Sequence, residues 1–189
     1  MTDEQIAEFN SLYETGCKKM KGLVILEGYR PKRIGFFEKI RANKAIKSFE
    51  KALSIYSDHF QSQFFLGKIY QRLGDYEKSL FHLESALTLE QTNHNIPLEA
   101  SLVAMHLNQI DKAIEYSKEA VRRKPDDSAV LGNHSMNLLI AGFDNEAKET
   151  INKAISINPD DNINRRIKIK IESVIAGHTK RPTFEEALG

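Results

Sequence analysis

LGKIYQRLGDYEKSLFHLESAL, residues 66–87, decides the fold. Gly74 and Asp75 stand in its middle, flanked on both sides by small and apolar residues at helical spacing. A glycine accepts the left-handed conformation that closes a helix. A carboxylate just beyond it favours and caps the next helix N-terminus. The stretch therefore predicts two helices joined by a short turn. Gly67, Ser79 and Ala86 predict where they approach closely, because only small side chains let two helix backbones come together there.

Working outward, the same features recur every 34 residues. Small residues form the columns Gly67, Ser101, Ser135; Ala45, Ser79, Ala113, Ala147; and Ala52, Ala86, Ala120, Ala154. A large apolar column runs Phe49, Leu83, Ile151 and is broken by Ser117, and the column Leu73, Leu107 fades to Ala141. The turn column reads Gly74, Asn108, Gly142, followed within a few residues by Asp75, Asp111 and Asp144 as helix-starting carboxylates. Pro125 and Pro159, in KPDD and NPDD, separate one helical pair from the next, since proline suits a boundary and not a helix interior. Self-similarity at such a period is the mark of a solenoid.

On these residues, 60–161 resembles three consecutive tetratricopeptide repeats, 34-residue units with the pattern W-x-x-L-G-x-x-Y, then A, F, A and P. Leu66 to Tyr70 and Gly74 to Leu80 follow it best. Gln63, Pro97 and Leu131 replace the opening Trp, and the aromatic survives only as Tyr70, becoming Ala104 and Leu138. Pro97 falls in a first helical turn if Asn95 caps that helix. Upstream, Arg41 to Tyr56 matches the second helix of a further repeat. Its first helix is expected from about Asp3 to Met20, carrying Ile6, Phe9, Leu12, Tyr13 and Cys17, with an insertion from roughly Lys21 to Ile40 that holds Gly28, Pro31 and Gly35. After the last repeat, Asn162 to Ala176 is expected as a closing helix; the alternation in RIKIKI suits a strand equally well in isolation.

The expected architecture is an all-α, right-handed α-solenoid of about nine helices with a C-terminal capping helix. Its parts are 1–59 (N-terminal helix, basic insertion, degenerate first repeat), 60–161 (three repeats), 162–177 (capping helix) and 178–189 (tail). The resemblance implies a concave face, lined by the first helix of each repeat, that holds a peptide or helix of another protein. By register the lining is Phe64, Lys68, Gln71, Leu98, Leu102, Met105, Gly132, Met136, Leu139, Arg166 and Lys170. The family's clamp for a chaperone C-terminal carboxylate is not reproduced, because Phe64, Leu98 and Leu102 stand where polar groups are needed. An apolar or amphipathic segment fits better, by helix-in-groove recognition. Three or four Leu or Met anchors at about 1.5–3 kcal/mol each, less an association cost of at least about 4 kcal/mol, give micromolar or weaker affinity. The alternative is that these residues pack neighbouring helices or the tail.

Composition narrows the function classes. The chain has 189 residues, 27 basic and 26 acidic, with one cysteine, Cys17. No internal disulfide is possible, and the longest apolar run, Leu23 to Leu26, is far short of a membrane span. The acidic start, MTDEQIAEFN, lacks the features of a secretory signal, so a cytoplasmic setting is expected. Charge is uneven: by segment, 1–16 carries −4, 17–51 carries +8, 52–161 carries −6 and 162–189 carries +3. The basic run (Lys18, Lys19, Lys21, Arg30, Lys32, Arg33, Lys39, Arg41) with Tyr29, Phe36 and Phe37 has the makings of a weak RNA or single-strand site or of a contact with an acidic protein. The tail, with Thr183 and Glu186 as a small capping box, places Phe184 and Leu188 on one face for docking within the chain or into a second copy; a disordered terminus is the other expectation.

No catalytic or metal motif is present. The histidines, His59, His82, His94, His106, His134 and His178, lack HExxH spacing and a cysteine pair. Ser57, Asp58 and His59 are chain neighbours, which rarely have triad geometry, and Cys17 reads as a core cysteine. The sequence thus points to a non-enzymatic adaptor without cofactor or metal, whose partner is another protein. A self-associating structural module is the alternative, and RNA binding through the insertion is a weaker third.

Overall fold

A computed structural model describes residues 1–24 and 34–188. These residues form ten α-helices: α1 (Asp3–Met20), α2 (Phe36–Ile55), α3 (Phe60–Leu73), α4 (Tyr76–Leu89), α5 (Asn95–His106), α6 (Ile110–Arg123), α7 (Ser128–Ala141), α8 (Asp144–Ile157), α9 (Asn162–Ile175) and α10 (Phe184–Leu188). The contacts divide into two compact units, Met1–Gln91 and Thr92–Gly189. The division falls after the first of the three repeats read from the sequence, which packs with α1 and α2.

In the first unit, α1 pairs with α2, α3 pairs with α4, and α2 stacks on α3. The close approaches come where the small residues stand. A Cβ on Gly16 would lie 2.6 Å from the Phe49 ring, and one on Gly67 would lie 2.7 Å from Leu83 Cγ. Beside the latter, Ser79 Oγ donates to Gly67 O at 2.8 Å, so even the hydroxyl of a small residue is satisfied within the contact. Met20, Leu23, Ala45, Ile46, Leu66 and Ile69 fill the core around Phe49. The α1 bounds coincide with the expected N-terminal helix, while α2 begins at Phe36, four residues before the expected end of the insertion. Glu38 starts it by accepting from Gly35 N at 2.8 Å.

In the second unit, α5 pairs with α6 and α7 with α8, and α9 packs on both α8 and α7. RIKIKI is helical because α9 covers the α7–α8 pair with Ile171, Ile167 and Val174 while Ile163 and Ile169 face outward. Leu131, Leu138, Leu139, Ile151 and Ala154 complete that core. Ser101 Oγ donates to Ala113 O at 2.7 Å across the α5–α6 approach, and Asn137 Nδ2 donates to Ser101 Oγ at 2.7 Å, tying α7 to α5.

The turns follow the expected chemistry with three corrections. Gly74, Asn108 and Gly142 all have left-handed backbones (φ 81°, 55° and 95°). Asp75 caps α4, accepting from Lys78 N at 3.3 Å, but Asp111 and Asp144 lie inside the first turns of α6 and α8 without capping them. The cap before α5 is not Asn95, which is already helical; Asn93 Oδ1 accepts from Asn95 N at 2.9 Å, leaving Pro97 in the first turn. The strongest caps are Asp127 and Asp161, the last residues of KPDD and NPDD, each accepting two backbone N–H groups at 2.9–3.2 Å.

Candidate functional site

The residues expected to line a ligand face divide by burial. Leu98, Leu102 and Met136 are half-buried on α5 and α7, Lys170 is half-buried on α9, and Arg166 is exposed. Phe64, Lys68, Gln71, Met105, Gly132 and Leu139 are interior. These six are corrected as open lining, because each first helix is enclosed on more sides than a register count allows. Leu139 is 0% exposed inside the α7–α8–α9 core, and Lys68 is 2% exposed. Gly132 faces α9, where the Asn164 side chain fills the space beside it. Of the apolar residues of the second unit expected to line such a face, Leu98 and Leu102, one turn apart on α5, and Met136 beside the α7 core are the ones not enclosed.

The same unit carries its own tail across the two helix corners. After α9, Gly177 takes φ 73°, turning the chain back. Arg181 forms a two-pronged pair with Asp144, Nη1 to Oδ1 at 2.6 Å and Nη2 to Oδ2 at 3.0 Å, and Nη1 also donates to Leu139 O. Arg181 as a hydrogen-bond donor holds the Asp144 carboxyl below its usual range. Pro182 is buried, and Phe184 packs on the cluster of Ala104, Met105 and Ala113 with Ile110, Tyr116 and Ile140. Its ring stands edge-on to His106, centroids 4.8 Å apart. Thr183 and Glu186 form the expected capping box: Thr183 N donates to Glu186 Oε2 at 2.9 Å and Glu186 N to Thr183 Oγ1 at 3.3 Å.

Two half-buried histidines have structural roles that the repeat pattern hid. His134 Nδ1 lies 2.7 Å from Ser117 Oγ, so the serine that breaks the apolar column binds a histidine of the following helix. His82 Nδ1 donates to Gln63 Oε1 at 2.7 Å, and its ring stacks on Tyr70. Burial lowers both rings to about 4, since an imidazolium away from water is costly. Arg122 and Arg123 both bond Glu119 within α6, and the Arg122 bonds foremost hold that carboxyl near 2.

Two members of the basic run have partners within the chain. Arg41 donates to Lys19 O and Lys21 O, at 3.3 and 2.5 Å, clipping the end of α1 to α2. Lys18 pairs with Glu14 at 3.9 Å. Tyr29, Arg30, Lys32 and Arg33 lie outside the described residues. Phe36 and Phe37 are 73% and 79% exposed at the start of α2.

Ser57, Asp58 and His59 form no relay. Ser57 Oγ donates to Asp58 Oδ1 at 2.8 Å, whereas His59 Nδ1 accepts from Ser62 N at 3.3 Å as the cap of α3, its ring edge-on to Phe9 and Tyr13. Burial raises the Cys17 thiol above its ordinary value, which disfavours the thiolate. Among the described residues no group of three or more His, Cys, Asp or Glu side chains is placed to hold a metal ion, and no helix is long and apolar enough to cross a membrane.

A family model for the tetratricopeptide repeat matches residues 60–93, 98–127 and 142–161. No curated protein matches the chain. Among solved structures, the chain is similar to YrrB, described as a TPR protein with an unusual peptide-binding site, at 18% identity over 79% of this chain and 76% of that one, TM-score 0.66. It is similar to a tetratricopeptide repeat protein from Parabacteroides merdae at 16% identity over 96% of this chain and 63% of that one, TM-score 0.74. It is also similar to the first TPR of Spaghetti (RPAP3) bound to the HSP90 peptide SRMEEVD, at 14% identity over 62% of this chain and 93% of that one, TM-score 0.58. At these identities the likeness is one of fold. The 34-residue columns, the left-handed turns and the family match agree: residues 60–161 of the chain carry tetratricopeptide repeats.

Proposed function

We propose that the protein is a non-enzymatic adaptor that holds an apolar or amphipathic segment of a partner protein against the first helices of its repeats. The observation that carries this reading is the pair Leu98 and Leu102, one turn apart on α5 and left half-buried where the rest of that helix is almost wholly enclosed. Leucines at i and i+4 present one continuous apolar stripe. Such a stripe suits the side chains of an amphipathic helix better than a carboxylate.

Two solved relatives lend support by their descriptions, YrrB with its peptide-binding site and the RPAP3 repeat bound to an HSP90 peptide. The second mode requires polar groups, and Leu98 and Leu102 supply none. Arg166 and Lys170 on α9 add positive charge, so a segment with an acidic flank is favoured.

The test is capture from nuclease-treated native lysate by the wild-type chain and by a Leu98→Asp, Leu102→Asp variant of unchanged helicity. A protein held by the wild type and lost by the variant supports the reading. Equal capture refutes it, and capture seen only when the nuclease is left out transfers function to the basic run.

A further inference from the structure

Residues 178–183 of the tail are exposed except for Pro182, and the tail is held by few anchors. One is a phenylalanine ring in an apolar recess; the other is an arginine pair whose side chains are 35% and 31% exposed. An ion pair so open to water contributes little. The recess beneath is a built feature of the repeat. Ala104 and Ala113 are 0% exposed and Met105 is 3% exposed, with Asp144 and the Leu139 carbonyl at its rim. Lifting Phe184 away uncovers apolar atoms beside a carboxylate and a backbone acceptor. That combination selects an aromatic side chain preceded by a guanidinium.

We propose that this corner of the second unit, formed by the ends of α5 and α7 and the starts of α6 and α8, is a binding site for a partner segment with an arginine three residues before an aromatic residue. The chain's own Arg181 and Phe184 occupy it as a tethered competitor. Arg181 supplies the register, because both guanidinium nitrogens meet Asp144 and one also reaches the Leu139 carbonyl, a planar fork that lysine cannot reproduce. A short tether presents the tail at an effective concentration of roughly millimolar, so a partner segment must exceed that weak internal ligand to enter. The site is separate from the Leu98 and Leu102 stripe: lysate capture reads those leucines and the experiment below reads Asp144, so either reading can fail alone.

The experiment titrates a labelled peptide, HTKRPTFEEALG, the sequence of residues 178–189, into the full chain. The wild type is compared with Phe184→Ala and, as a milder variant touching only the exposed pair, Arg181→Ala. Both variants are checked for unchanged helicity. Release of the internal tail is expected to tighten peptide binding about tenfold in Phe184→Ala, and by less in Arg181→Ala. Adding Asp144→Asn to Phe184→Ala reduces the gain severalfold, a peptide with Arg replaced by Ala binds severalfold more weakly, and one with Phe replaced by Ala binds none of the chains. Equal binding to wild type and both variants overturns the proposal, as does binding that ignores Asp144→Asn. A wild-type dimer in light scattering that Phe184→Ala converts to monomer also overturns it, since the occupant would then be the tail of a second copy.

Discussion

Asn164 of α9 fills the space that a side chain on Gly132 of α7 would need. The amide is fixed there by donating to Ser128 O at 2.9 Å and to Asp161 Oδ2 at 3.0 Å, so it cannot swing aside without leaving polar groups unsatisfied. One glycine and one asparagine thus seat the closing helix on the last repeat. Gly132→Ala is expected to destabilise by about 1–3 kcal/mol through overpacking. Asn164→Ala is expected to cost a similar amount by orphaning its partners, about 1–3 kcal/mol. The double variant should be more stable than the sum of the two by about 1 kcal/mol or more, as measured by urea unfolding.

The carboxylates of KPDD and NPDD give a second comparison. Asp127 and Asp161 each hold two orphan N–H groups, so Asp127→Ala and Asp161→Ala should each lose about 1 kcal/mol. Asp144 caps nothing and contributes an exposed pair with Arg181. Its replacement by Ala should cost less, about half a kcal/mol. Equal losses at all three sites would contradict the assignment.

The left-handed turns predict opposite signs at equivalent positions. Gly142, at φ 95°, should lose about 1–2 kcal/mol on replacement by Ala, because a Cβ clashes with the carbonyl in that conformation. Asn108, at φ 55°, is the same turn made by a residue less suited to it, and Asn108→Gly should be neutral or stabilising by a few tenths of a kcal/mol. Thermal unfolding of the two variants decides it.

Most of this framework was legible in the sequence because it rests on local chemistry repeated at a fixed interval. The turn residues and small columns demand particular backbones wherever they occur, and all three predicted left-handed turns are present. What the sequence did not disclose depends on partners far apart in the chain. Ser117 looked like a defect in an apolar column until His134 was seen beside it. Gly132 and Leu139 were placed on an open face because register gives the direction of a side chain and not what α9 later covers. Asp144 resembled a cap, and only the return of the tail revealed Arg181 as its partner. A serine breaking an apolar column ahead of a histidine in the next helix was the one available signal for the first of these.

The half-buried histidines predict an acid sensitivity above the carboxylate range. His82 and His134 titrate near 4 in the folded chain, against about 6.5 when unfolded. Between those values the unfolded state binds more protons, so stability is full above pH 6.5 and falls as pH drops toward 4. Because both rings keep some contact with solvent, on the order of 1 kcal/mol per histidine is expected after screening. Urea midpoints at pH 7.5 and pH 5 should differ accordingly. Replacing either histidine by Gln should remove its share of the difference.

The most direct test of the adaptor reading is the dissociation constant of the captured partner's segment for the wild-type chain and for the Leu98→Asp, Leu102→Asp variant. Removing the α5 stripe should weaken binding at least about tenfold, equivalent to about 1.4 kcal/mol, with helicity and unfolding midpoint preserved. Equal dissociation constants would contradict the account and move the partner's site away from the first helices of the repeats.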